Sequence, residues 1–107
     1  MKMQLFNKKT GEAIAVTEDG TVFERNLLSG KWIRRGRVKE GILVEAFIQR
    51  RLDNGWIPYR MGMVPSWRRI EKMCEDGIAK ATDGCQVEPD GTCQHGFPSW
   101  VIVAGVI

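Results

Sequence analysis

Two cysteines and the chain's single histidine, Cys85, Cys93 and His95, fall within eleven residues of one another, in Asp-Gly-Cys-Gln-Val-Glu-Pro-Asp-Gly-Thr-Cys-Gln-His-Gly over 83–96. Thiolate sulfur and imidazole nitrogen are the donors that zinc favours. Between them, Glu88-Pro89-Asp90-Gly91 is a turn sequence: proline pre-sets φ, aspartate suits the next position and glycine accepts φ > 0. A type I turn closed by a left-handed glycine makes a three-residue hairpin loop. In that register Val87 faces Cys93 and Cys85 faces His95, so alternation puts Cys85, Val87, Cys93 and His95 on one face. The expectation is a three-ligand zinc platform, its fourth position taken by water, a carboxylate or a partner group. A slip of one residue would split the set.

Other readings of these residues stay open. The chain has no Cys-x-x-Cys pair, the specific zinc signature, so Cys85 and Cys93 also read as small core thiols or as a disulfide. The start MKMQLFNKKTG carries no apolar run resembling a secretory signal, so a reducing cytoplasm is expected, which disfavours the disulfide. Cys74 falls on an apolar helical stripe and is expected as a core thiol outside the site. Cys93 and His95 also pair a thiol with an imidazole, the makings of nucleophilic catalysis, but nothing identifies a group to orient them. Neither a phosphate-cradling Gly-x-x-x-x-Gly-Lys-Ser/Thr nor a dinucleotide Gly-x-Gly-x-x-Gly occurs. A non-enzymatic protein is expected.

The elements that must hold this stretch follow from pattern. At 107 residues, 43% apolar and 27% charged, the chain suits one globular domain. Residues 1–37 read as an antiparallel β-meander, with strands at Met3–Phe6, Glu12–Thr17, Thr21–Arg25 and Trp32–Arg35 between glycine turns. Lys9-Thr-Gly-Glu-Ala-Ile14 and Leu28-Ser-Gly-Lys-Trp-Ile33 match in pattern nineteen residues apart, which suggests two similar hairpins. Residues 38–82 read as helical. One helix is expected over Glu40–Leu52 from the spacing of Val44, Phe47, Ile48 and Leu52. Another starts near Pro65, with Trp67, Ile70, Met73, Cys74, Ile78 and Ala81 as its stripe. Residues 83–107 then hold the Cys/His hairpin and a final buried strand, Trp100-Val-Ile-Val-Ala-Gly-Val-Ile107. The fold class is α+β, with both helices on one sheet face. No apolar run is long enough to span a bilayer as a helix.

Charge is unevenly spread. Residues 1–73 carry 15 Lys/Arg against 8 Asp/Glu, while 74–107 carry 1 against 5. Trp32-Ile33-Arg34-Arg35-Gly36-Arg37 interleaves an aromatic with three arginines, and Arg50, Arg51, Arg68 and Arg69 add basic pairs on the two helices. Arginines neutralise phosphates and aromatics stack bases, so this body is expected to contact nucleic acid or an acidic protein surface. Four tryptophans offer the alternative of an interaction or inhibitor module without metal, although such residues are more often core pillars of a small domain. Pro-Ser-Trp occurs twice, at 65–67 and 98–100, and reads as coincidence.

The C-terminal third resembles short uncharacterised prokaryotic proteins that end in a similar motif. The matching positions are Asp83 to Cys85, Val87 to Gly91, Cys93, His95, Gly96 and Pro98 to Trp100. The resemblance implies a bacterial, archaeal or phage-related origin and carries over no catalytic role.

Overall fold

The computed structural model describes residues 3–106. Met1, Lys2 and Ile107, the outer ends of the expected meander and final strand, lie outside the described residues. Strands β1 (Met3–Phe6), β2 (Ala13–Val16), β3 (Thr21–Arg25) and β4 (Trp32–Arg37) form the antiparallel meander the sequence predicts. Two of its turns are copies. Asn7 N–H donates to the Glu12 carbonyl and Gly11 N–H to Asn7; nineteen residues on, Asn26 N–H donates to Lys31 and Gly30 N–H to Asn26. The repeated pattern in sequence is therefore a repeated hairpin.

A fifth strand, β5 (Ile57–Pro58), lies in the stretch 54–64 that reads as an irregular connector. It pairs with β1 and gives the sheet order β4-β3-β2-β1-β5. Two residues leave no periodicity to detect, and Pro58, lacking an N–H, is tolerated because the strand is at the edge. In a flat sheet the two outer strands would stand roughly 19 Å apart. Yet the ring of Trp32, from β4, meets that of Tyr59, just beyond β5, edge-on with centroids 5.6 Å apart. The sheet is strongly curled at that end.

Helix α1 (Val44–Asp53) and helix α2 (Trp67–Asp76) cover opposite faces of the sheet, not one. Ile48 and Trp56 pack with Leu5, Ile14 and Val16 on one side; Ile70, Val64 and Trp100 pack with Phe6 and Ala13 on the other. The cause is β2, Ala-Ile-Ala-Val, buried at all four positions. A strand apolar on both faces needs a cover on both. Helix α1 starts four residues later than its apolar pattern suggests, because Gly41 has φ +88°, outside the right-handed helical region. Helix α2 begins after Ser66, whose side chain accepts from Arg69 N–H, and ends at Gly77, φ +70°.

The expected final strand is a short helix, α3 (Trp100–Val103). Its β-branched residues favour a strand locally, but Ser99 accepts hydrogen bonds from both Val101 and Ile102 N–H and starts a helix instead. The two Pro-Ser-Trp segments thus do the same job. Ser66 and Ser99 have nearly identical backbone angles (φ −67°, ψ 157° and 154°), and each caps a helix that opens on tryptophan. Strands β6 (Ala79–Lys80) and β7 (Gln86–Val87) form a separate two-stranded sheet against α2 and α3. Among the described residues no helix is long and apolar enough to cross a membrane.

Candidate metal centre

The donor residues come from two tight turns of the same construction. In the first, Ala81 N–H donates to the Cys85 carbonyl (2.7 Å) and Gly84 N–H to Ala81 (2.9 Å). In the second, Cys93 N–H donates to Phe97 (3.0 Å) and Gly96 N–H to Cys93 (2.9 Å). Gly84 and Gly96 occupy equivalent places with φ of +95° and +87°, a region glycine enters without steric cost. Each turn is flanked by antiparallel pairing: β6 with β7 around the first, a Thr92–Pro98 bridge around the second.

This replaces the expected hairpin. Glu88–Gly91 does turn, with Gly91 N–H donating to Glu88 (2.8 Å). However, Val87 pairs with Ala79 and Gln86 with Lys80, so these two residues do not pair with 92–95 as strand partners. The proline-containing turn is the louder local signal, but Val87 packs against the core under α2 and α3, and that burial decides its partner. Cys85, Cys93 and His95 converge all the same, because the two glycine turns face each other.

Asp83 joins them, and the ligand atoms of Asp83, Cys85, Cys93 and His95 all lie within 4.8 Å of one another. It is the carboxylate the sequence reading left unnamed. Its signal is a symmetry of spacing, since Asp83 precedes Cys85 by two residues as Cys93 precedes His95. Cys85 Sγ is 3.4 Å from His95 Nδ1 and 3.4 Å from Asp83 Oδ2. Cys93 Sγ is 3.8 Å from Nδ1 and 3.4 Å from Oδ2. Asp83 Oδ2 is 3.1 Å from Nδ1. A tetrahedral ion with bonds of about 2.3 Å to sulfur and about 2.0 Å to nitrogen or oxygen needs sulfur-to-nitrogen or -oxygen edges of roughly 3.5 Å and a nitrogen–oxygen edge of roughly 3.3 Å. These five separations match such edges to within about 0.3 Å, and the two sulfurs lie within 4.8 Å of each other. The donor set can hold a metal ion.

Its electrostatics point the same way. Burial works to raise the Asp83 pKa, but hydrogen bonds from Cys85 N–H and both thiols, with the imidazole beside it, outweigh burial and lower it. The Cys85 thiol is pushed up to about 11, first by its hydrogen bond to Asp83, then by burial and the Asp83 charge. A thiol so held is protonated at neutral pH and is a poor nucleophile; a cation between the donors would reverse that. All three cysteines are free thiols, so the Cys85–Cys93 disulfide is not formed, and Cys74 is exposed, not a core residue. Its stripe position lies on the edge of α2 that nothing covers.

Around the cluster, buried side chains tie the turns to the rest of the fold. The Thr82 hydroxyl donates to the Lys8 carbonyl, joining the first turn to the β1–β2 loop. The Ser99 hydroxyl donates to the Pro89 carbonyl, joining α3 to the segment between the turns.

The basic residues expected to bind a partner are scattered. Trp32 is half-buried against the core and Tyr59, so it is no open stacking platform. Arg34 and Arg35 are exposed on β4, with Arg35 paired to Glu24 (2.8 Å). Arg68 and Arg69 lie in the first turn of α2, on the sheet face away from α1. Arg37, Arg50 and Arg51 do come together, at the end of β4 and the last turn of α1, where Lys39 joins them.

Compared with protein-family models, with curated proteins and with solved structures, the chain matches none.

Proposed function

We propose that this chain is a small non-enzymatic binding domain. Its C-terminal pair of turns holds one zinc ion as a structural element, and its basic body contacts nucleic acid. The observation that carries the reading is the donor set: four protein ligands whose donor atoms all lie within 4.8 Å of one another. Catalytic zinc sites keep a position open for water or substrate, whereas structural sites are closed by four protein ligands. Two thiols, an imidazole and one carboxylate select zinc over magnesium or calcium, which favour all-oxygen shells. The raised Cys85 pKa argues against that thiol as a nucleophile, and a reducing compartment such as the cytoplasm would keep both thiols available to the metal.

Protein purified without a metal-affinity tag should contain about one zinc per chain. Replacing it by cobalt(II) should give the visible absorption of a tetrahedral thiolate site. Metal-free protein with the same thermal stability, and no cobalt spectrum, would overturn the reading.

A further inference from the structure

We propose that the groove between the end of β4 and the last turn of α1 binds the phosphate backbone of single-stranded nucleic acid. This rests on the reading of the chain as a binding domain and assigns its contact face. The groove, about 410 Å³, is lined by the cations of Arg37, Lys39, Arg50 and Arg51 and by the apolar side chains of Ile42 and Phe47, and no aspartate or glutamate lines it.

Two of the four cations are held in position. The Arg51 guanidinium stacks over the rings of Phe47 (4.8 Å to the centroid) and Trp56 (5.4 Å). Stacking uses the faces of the planar group and leaves its N–H edge free to donate to a phosphate. Arg37 Nη2 donates to the Asp19 carbonyl (2.8 Å), which fixes its direction and spares its other donors. The Asp19 carboxylate is engaged by the Thr17 and Thr21 hydroxyls and Thr21 N–H and does not line the groove, although the charge of Arg37 acts on it. Lys39 and Arg50 make no ion pair among the described residues.

Cations in the last turn of a helix offset its exposed carbonyls. That accounts for Arg50 and Arg51 but not for Arg37 and Lys39, which come from β4 and the segment after it. Like charges gathered without a carboxylate repel one another, and an anion relieves the repulsion. Between the cations Ile42 is 45% exposed, an apolar floor on which a base can lie beside the Arg51–Phe47 stack. A purely acidic peptide has no apolar group to set on that floor. A duplex is a poor fit, since α1 carries its basic residues only in its last turn and Glu45 in its first.

The test is fluorescence anisotropy of zinc-loaded protein with labelled oligo(dT) and oligo(rU) of about 12 nucleotides, titrated between about 25 and 200 mM salt. Three or four phosphate contacts predict a slope of log K on log salt of about −2 to −3, a loss of roughly 80- to 340-fold over that range. The double variant Lys39→Ala/Arg50→Ala, both side chains being exposed, should melt like the parent. Its slope should be shallower by about 1.4. Arg68→Ala/Arg69→Ala, on the far face, should bind as the parent does. Binding that the first variant keeps, or that only the second loses, overturns the groove and leaves a nucleic-acid-binding domain standing. Equal affinity for a poly-glutamate peptide overturns the choice of nucleic acid. No binding to either oligonucleotide at the lowest salt removes nucleic acid from both statements.

Discussion

Asp83 and His95 stand at the middle of two matching turns, twelve residues apart, and Asp83 Oδ2 lies 3.1 Å from His95 Nδ1. That contact joins the turn that supplies Cys85 to the turn that supplies Cys93. Without a metal it is a contact between a largely buried carboxylate and a half-exposed imidazole; with one it would become an edge of the coordination shell.

Chelation should therefore destabilise the fold. Zinc at about 100 times its Kd adds about 2.7 kcal/mol to the folded state, roughly 10–20 °C in Tm for a domain of this size. A thermal melt with and without a strong chelator should show that drop. His95→Ala and Asp83→Asn should lower the parent's Tm in zinc toward its chelated value, and chelator should then change them little. Cys74→Ala should change nothing.

The metal-free and metal-bound forms should respond to alkali in opposite directions. In metal-free protein the Cys85 pKa is raised from an ordinary value near 9 to about 11. The folded state thus holds a proton the unfolded chain gives up, so this contribution is full below about pH 8.5 and is lost as pH rises through 11. In the metal-bound form both thiols must be deprotonated, so zinc binding strengthens as pH rises. Between pH 7 and 9.5, Tm should fall in chelator, while the extra stability that limiting zinc confers should grow. Parallel curves would refute the thiol assignment.

Ser66 and Ser99 cap their helices alike but differ in surroundings. Ser66→Ala should cost about 1 kcal/mol, the usual value of an N-cap. Ser99 is fully buried, and its hydroxyl also donates to Pro89. Removing it leaves a half-buried carbonyl without that donor, so Ser99→Ala should cost up to about 1–3 kcal/mol more than Ser66→Ala. Urea denaturation of both variants measures the difference.

Of the glycines, Gly11 stands closest to a side chain. Its φ is +77°, and an added Cβ would lie 2.6 Å from Val103 Cγ1 and 3.0 Å from Trp100 Cζ3. Gly11→Ala should cost more than the roughly 1–2 kcal/mol of the left-handed conformation alone. Adding Val103→Ala should recover part of the loss, as seen by urea denaturation, and no recovery would mean that backbone strain is the whole effect.

Arg25 Nη1 is buried without a hydrogen-bond partner among the described residues. An unmet buried donor costs about 1–3 kcal/mol, so Arg25→Met, which keeps the aliphatic stem, should raise Tm by several degrees. A lowered Tm would show that the guanidinium is stabilising where it lies.

The meander was legible because each of its turns carries a glycine at a left-handed position, with Gly11, Gly20 and Gly30 as the marks. Helix α2 was legible for similar reasons, since Gly77 stops it where its pattern weakens. What local pattern missed was decided by tertiary contact. The run after Ser99 is β-branched, yet it is a helix because Trp100 and Val101 must face Ile70 and Phe6 in one core. The hairpin register failed because Val87 had a better-buried partner in Ala79. The convergence of Cys85, Cys93 and His95 did not depend on that register, as the glycines that shape both turns stand beside the donors in sequence. Pro-Ser-Trp was a signal passed over as chance.

The contacts that close this molecule join its distant ends: Gly11 lies against Val103, and the Thr82 hydroxyl reaches back to Lys8. On the ribosome, the meander can pair from local hairpins soon after it emerges. The face that holds Phe6 and Ala13 must wait for Trp100 and Val101, far along the chain, before it is covered. Such long-range closure is slow, and throughout the delay an apolar sheet face stands open to other chains. The two turns that carry Asp83, Cys85, Cys93 and His95 emerge within that same interval, so the donors that could hold a metal ion gather as the sheet face is shielded.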